Sequence, residues 1–195
     1  DRGMKTQTEI SAELGRYLAL FPQEQRWLSP FADFVARYGG NDLYDRKNPE
    51  GHITASAFVV DISHDKLLVV HHNHLKKWIQ PGGHVDRSDS SVLAAALREL
   101  KEETGLGADV VRLLGSEGVT VADFDSHQIP ANPAKDEGRH FHHDIRYLFE
   151  VIDEEARLLS DPAESGGIRW ADFDEFPADE GFWRIAEKLR KGLYK

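Results

Sequence analysis

Residues 82–106 read GGHVDRSDSSVLAAALRELKEETGL. The run from Ser90 to Thr104 has the spacing of a strong helix. Gly105 stands where left-handed backbone ends such a helix. With Arg98 at zero on a wheel of about 100° per residue, Glu102 falls at about 40°, Glu99 at about 100° and Glu103 at about 140°. Leu93, Ala96, Leu97 and Leu100 are expected on the other side, against a core. The helix therefore carries three carboxylates and a guanidinium on one face.

Carboxylates three and four residues apart cost a helix about 0.2–0.5 kcal/mol per pair. Glu99–Glu102 and Glu99–Glu103 both have that spacing. Three clustered carboxylates make a hard-oxygen site suited to Mg²⁺ or Mn²⁺. Such a cation binds phosphate oxygens and lowers the pKa of a bound water. Arg98 can fix the orientation of one carboxylate by a two-pronged contact. Gly82 and Gly83 let backbone approach closely, so a carbonyl could join the shell. On spacing alone, a solvated acidic helix face accounts for the pattern equally well.

The segment resembles the signature box of Nudix hydrolases, which runs Gly, five residues, Glu, seven residues, Arg-Glu-aliphatic-x-Glu-Glu-x-Gly-aliphatic. Gly83 matches the opening, and Arg98-Glu99-Leu100-Lys101-Glu102-Glu103-Thr104-Gly105-Leu106 matches the second half without a gap. Trp78-Ile79-Gln80-Pro81-Gly82-Gly83-His84-Val85 is similar to the stretch that precedes the box in that family. Asp89 stands where Glu is expected, with one extra residue before Arg98. Asp89 or Asp86 is expected to take the role of that Glu.

The resemblance covers about residues 51 to 180. It implies an α+β, Nudix-like α/β/α sandwich with a mixed sheet, and hydrolysis of a nucleoside diphosphate derivative with Mg²⁺ or Mn²⁺. It implies Glu99, Glu102, Glu103 and the carbonyl of Gly83 as metal ligands, and Arg98 as the residue that orients a glutamate. Glu102, Glu103, Arg98 and Glu164 are then the catalytic candidates. Glu164 lies in the loop before the last strand, from which many members draw one more carboxylate. A solvated loop acid is the alternative there.

A second constellation is Arg139-His140-Phe141-His142-His143-Asp144-Ile145-Arg146. Period 2 in a strand puts His140, His142, Asp144 and Arg146 on one face. They could contact substrate phosphate, bind a transition metal, or form an ordinary solvated or hydrogen-bonded face. His84, next to the Gly-Gly turn, joins them as a candidate substrate contact. His71, His72 and His74 read as solvated loop histidines. Trp78 and Phe124 could stack on a base, although core packing is the commoner role of such residues. Residues 124–139 read as a long loop that shapes one wall of a cleft.

Outward from this region, residues 5 to about 38 have helical spacing, broken at Pro22 and again near Ser29-Pro30. Residues 41–51 read as a linker. A helical extension over 1–50 and a Nudix-like domain over 51–195 follow. Asp1-Arg2-Gly3 precede Met4, the expected natural start, and receive no role. Strands are expected at 53–62, 66–71, 110–114, 119–122, 141–152 and 168–170, and a last helix at 182–193.

The 195 residues carry 24 Lys+Arg against 34 Asp+Glu, a net charge of −10. That argues against a general nucleic-acid binder and against docking on anionic lipid. With no cysteine, disulfides, zinc-thiolate sites and thiol nucleophiles are excluded. No apolar run approaches the ~20 residues of a membrane span, and a cytoplasmic protein is expected. The expected partner is a phosphorylated small molecule, captured with the help of a cation. A homodimer through the apolar N-terminal helices is left open. The competing reading is a Nudix-like module that binds its ligand without hydrolysing it, but such a sensor has no need of all three glutamates. An isomerase on the same fold would depend on a cysteine that is absent here.

Overall fold

The computed structural model describes residues 4–73, 75–133, 136–159, 165–176 and 180–195. Its helices are α1 (Gln7–Leu20), α2 (Gln25–Arg37), α3 (Val92–Thr104) and α4 (Glu180–Arg190). Its strands are β1 (Gly51–Val60), β2 (Lys66–His72), β3 (Lys77–Ile79), β4 (Gly82–His84), β5 (Val111–Leu113), β6 (Val121–Ile129), β7 (His140–Val151) and β8 (Ser165–Asp172). The strands form one mixed sheet in the order β3-β2-β1-β7-β5, with β4 also on β1, β6 on β7 and β8 on β2. β1 and β7 run parallel from Gly51↔Phe141 to Val60↔Glu150. The other pairs are antiparallel. α3 packs on β1 and β4, and α2 and α4 pack on β6. This is the expected α+β fold with helices ahead of it. Among the described residues no helix is long and apolar enough to cross a membrane.

The N-terminal helices start and stop for local reasons. Thr6 and Glu9 form a reciprocal capping box at the start of α1. Pro22 begins a single 3₁₀ turn that leads into α2. The expected break at Ser29-Pro30 does not occur, and α2 runs through Pro30. Proline removes the N–H that Arg26 O would accept, but the Ser29 hydroxyl donates to Arg26 O at 3.1 Å instead. Ile10, Leu14, Tyr17, Leu28, Phe31 and Phe34 enter one core with the sheet. The rings of Tyr17 and Phe31 lie 5.1 and 4.9 Å from that of Phe124 on β6. Phe124 is thus core and not a base-stacking residue.

The expected loop over 124–139 is strand for its first half, because β6 continues to Ile129 and pairs with β7 as far as Ile129↔His140. Its polar residues hid it from a search for alternating apolar ones. Asp123, fully buried, accepts from Arg184 Nε (2.7 Å), Arg184 Nη2 (2.8 Å) and Arg146 Nη1 (3.1 Å). Lys188 of α4, itself buried, donates to Ala122 O at 2.9 Å and pairs with Glu24 at 3.1 Å. Glu24 in turn accepts from the Tyr17 hydroxyl at 2.5 Å. One buried polar chain therefore ties the N-terminal helices, β6 and α4 together. Burial pushes the Lys188 ammonium below its ordinary pKa, and Asp123 and Glu24 oppose that shift.

Candidate functional site

α3 begins at Ser91, whose hydroxyl accepts from Ala94 N, and ends at Gly105 with φ 79°. Its buried residues are Val92, Ala95, Ala96, Leu100 and Thr104. Leu93 and Leu97 are half-buried and pack against the core, as expected. Ala95 and Ala96 are fully buried, and their small side chains let the helix backbone lie close to the sheet. Glu99 and Glu103 are half-buried at the Gly82-Gly83 turn, and Glu102 is exposed.

Arg98 is the hub. Its Nε and Nη2 donate to the two oxygens of Asp89, each at 2.9 Å. Nη2 also donates to His84 O at 2.9 Å. Nη1 donates to Glu99 at 2.8 Å and to Glu102 at 3.1 Å. Asp89, despite the inserted residue, is thus the acid that grips Arg98, while Asp86 stands further off at 3.5 Å. The shorter side chain suffices because Asp89 Oδ2 also accepts from Asp86 N (2.8 Å), which folds the loop into a tight turn. The hydrogen bonds it donates to Asp89, then the one to Glu99, hold the guanidinium more firmly protonated than usual despite its burial. Burial works against the Asp89 carboxylate, but Arg98 prevails and its pKa falls. Glu99 is the reverse case: burial raises its pKa despite Arg98, and Glu102 adds to the rise.

The Gly-Gly turn fits around these acids. Gly82 N donates to Glu103 Oε2 at 2.9 Å. A Cβ on Gly83 would lie 2.6 Å from Glu99 Cδ. The Glu99 carboxylate therefore rests on bare backbone, which a side chain would displace. Glu99, Glu102, Glu103 and the Gly83 carbonyl, expected to hold the metal, offer oxygen donors of the kind Mg²⁺ or Mn²⁺ takes, although among the described residues these glutamates do not stand close enough together to share one ion as they are. For Gly83→Ala we expect a protein that folds, because only a carboxylate end must move. Its turnover should fall at least about tenfold, since misplacing a site group by about 1 Å costs up to about 10²-fold. Steady-state kinetics beside a melting curve checks this.

The second constellation opens on the same cavity. A space of about 430 Å³ is lined by Glu99, Gly83, His84, His140, His142 and Asp144, among others. Asp144 is held by Thr54 Oγ1 (2.9 Å), Ser56 Oγ (2.7 Å) and Arg146 Nε (2.8 Å). Arg146 is turned inward. Its guanidinium meets Asp123, Asp125 and Asp144 at 3.1, 3.1 and 2.8 Å, and its side chain is 8% exposed. Its charge is therefore spent within the fold. Burial works against the Asp125 carboxylate, but Arg146 and His127 hold its pKa well below the usual range. Glu164 and His74 lie outside the described residues. His71 and His72 belong to β2 and not to a loop. Trp78 is half-buried under the Arg169 guanidinium, 4.8 Å from the ring centroid.

Two residues of this region carried no signal along the chain. His52 on β1 is buried among the rings of His84, His140 and His142. His127 on β6 faces His142. Burial and the neighbouring imidazoles push His142 down to about 2 and His52 to about 4. Both rings are therefore neutral near pH 7.

The NUDIX domain pattern matches residues 51–191. The chain belongs to the NUDIX family. It is 36% identical over 121 residues to a probable DHNTP pyrophosphohydrolase of Lactococcus lactis subsp. cremoris, a stretch that is 62% of this chain and 67% of that protein. Among solved structures, the Nudix fold here resembles a C. elegans Ap4A hydrolase (TM-score 0.53, 16% identity, 72% of this chain and 96% of that one). It also resembles the E. coli dihydroneopterin triphosphate pyrophosphohydrolase (TM-score 0.52, 14% identity, 72% and 94%). Helices α1 and α2 precede the matched Nudix region.

Proposed function

We propose that this Nudix-type pyrophosphohydrolase cleaves a phosphoanhydride bond in a small molecule that joins a heterocycle to a polyphosphate. The observation that carries the reading is the Arg98 fork, which holds Asp89, Glu99 and Glu102 in one cluster beside the Gly82-Gly83 turn. Support for the substrate class comes from the Lactococcus relative, whose name specifies a DHNTP pyrophosphohydrolase.

The residues divide the work. Glu99, Glu102, Glu103 and the Gly83 carbonyl hold Mg²⁺ or Mn²⁺. The cation supplies charge neutralisation at the phosphates and a water of lowered pKa. Arg98 keeps Glu99 and Glu102 at fixed angles, so little reorganisation is needed when substrate arrives. Glu103, anchored by Gly82 N–H, is the candidate to accept the proton of the attacking water. His84, His140 and His142 line the cavity beside these acids, and the space they border is assigned to the substrate's phosphates and ring. Asp144 and Arg146 act behind them as positioning residues. Residues 1–50 are proposed as a helical extension that folds with residues 51–195.

The test is a panel of dihydroneopterin triphosphate, nucleoside triphosphates and nucleoside diphosphate sugars in Mg²⁺. We expect kcat/KM for one triphosphate class to exceed that for the diphosphate sugars at least about tenfold, a difference of about 1.4 kcal/mol. Preference for a diphosphate sugar would move the substrate class while leaving the hydrolase in place.

A further inference from the structure

Half of the chain's ten histidines converge on one place. The ring of His52 lies 5.0 Å from that of His84, 5.2 Å from His140 and 4.8 Å from His142. His84 and His140 lie 5.4 and 5.2 Å from His142, and His127 lies 5.7 Å from it. The register of the sheet makes this cluster. β1 and β7 set His52 opposite His142, β4 sets His84 opposite Thr54, and β6 sets His127 opposite His142.

His52 is 1% exposed, and neither ring nitrogen has a hydrogen-bond partner among the described residues. A polar ring buried without partners is unfavourable, and such groups commonly serve a ligand. One ligand nitrogen from each of His52, His84 and His142 lies within 4.8 Å of the others. Inward movement of under about 1 Å per ring reaches the ~2.0–2.1 Å of a zinc–imidazole bond. His140 Nε2 lies 3.3 Å from His142 Nε2, and His140 Nδ1 lies 2.9 Å from Gly138 O. A partner of this kind fixes the orientation and tautomer of a ligating imidazole.

We infer that His52, His84 and His142 bind one borderline divalent cation of the zinc class, at a centre separate from the Glu99–Glu102–Glu103 cluster. Three imidazoles suit Zn²⁺, Ni²⁺ or Fe²⁺ and suit Mg²⁺ poorly, because Mg²⁺ takes oxygen ligands. Three protein ligands leave a fourth position. His84 and His142 line the cavity shared with Glu99, so that position faces the space assigned to substrate. Only the occupant of this fourth position, a phosphate oxygen, rests on the hydrolase reading. The cation itself does not.

The test uses Co²⁺ as probe on the full chain, stripped of metal and then held in excess Mg²⁺ to fill the carboxylates. We expect one Co²⁺ per chain, with the strong visible absorption of a four-coordinate site. His84→Ala and His142→Ala should each lose that band and at least tenfold in affinity, whereas Glu99→Gln/Glu102→Gln should retain both. If His142→Ala melts early, the near-isosteric His142→Asn replaces it. Sub-stoichiometric binding by the wild type would overturn the inference. So would a band lost in the glutamate variant and kept in the histidine variants. A retained band in a protein that hydrolyses nothing in Mg²⁺ would uphold this centre and remove the hydrolase reading.

Discussion

Glu102→Gln is expected to lower kcat by about 10²–10³-fold, the range found when one preorganised electrostatic group is removed from an active site. The side chain is 48% exposed and accepts from Arg98 at 3.1 Å. Its charge contributes little to folding, because exposed pairs give about 0–1 kcal/mol. Gln keeps the length and a carbonyl oxygen, so the melting temperature should hardly move. What disappears is one of three negative charges gathered against the spacing rule on α3. A fall of less than about fivefold, in a protein that still folds, would mean that Glu102 serves only to orient Arg98.

Asp123→Ala is expected to cost about 3–5 kcal/mol of folding stability, the price of leaving a buried charge unpaired. Asp123 has no exposed side-chain surface and meets two guanidinium groups, with Lys188 3.9 Å away. Its loss leaves Arg184 and Arg146 short of a counter-charge where neither can reach water easily. The fair control is Asp174→Ala, which breaks an Arg190 pair whose side chains are 52% and 92% exposed. That change should stay within about 1 kcal/mol. Urea unfolding monitored by tryptophan fluorescence separates the two. A loss below about 1 kcal/mol for Asp123→Ala would mean that the buried polar chain does not fasten α1, α2 and α4 to β6.

What was legible along the chain follows from how far each signal reaches. The α3 segment declares itself within twenty-five residues, because its helix period, its acids and its closing glycine are all local. The substitution of Asp89 could be noticed there, but only the folded loop decides between Asp89 and Asp86. The core side of α3 was legible in Leu93, Ala96, Leu97 and Leu100, whereas Ala95 was not, because a small residue adds little to an apolar period. In the fold, the small Ala95 and Ala96 are what bring the helix close to the sheet. Pro30 looked like a break because the rescue by the Ser29 hydroxyl is a matter of rotamer, not of composition. Residues 124–129 of β6 were taken for a loop because Asp125 there is met by Arg146 and Arg184, which lie 21 and 59 residues away. His52 stood out least. It is a single histidine in an apolar strand, and its meaning depends on a register with residues ninety positions on.

The central claim is that the Arg98-centred carboxylate cluster performs cation-dependent phosphoanhydride hydrolysis. The most direct measurement is the initial rate of pyrophosphate and phosphate release from the best triphosphate in the panel, first in EDTA and then after Mg²⁺ is restored. The account predicts no release above background in EDTA and recovery of the full rate with Mg²⁺, with Glu102→Gln about 10²–10³-fold slower than the wild type in Mg²⁺. Undiminished release in EDTA, or wild-type release by Glu102→Gln, would contradict it.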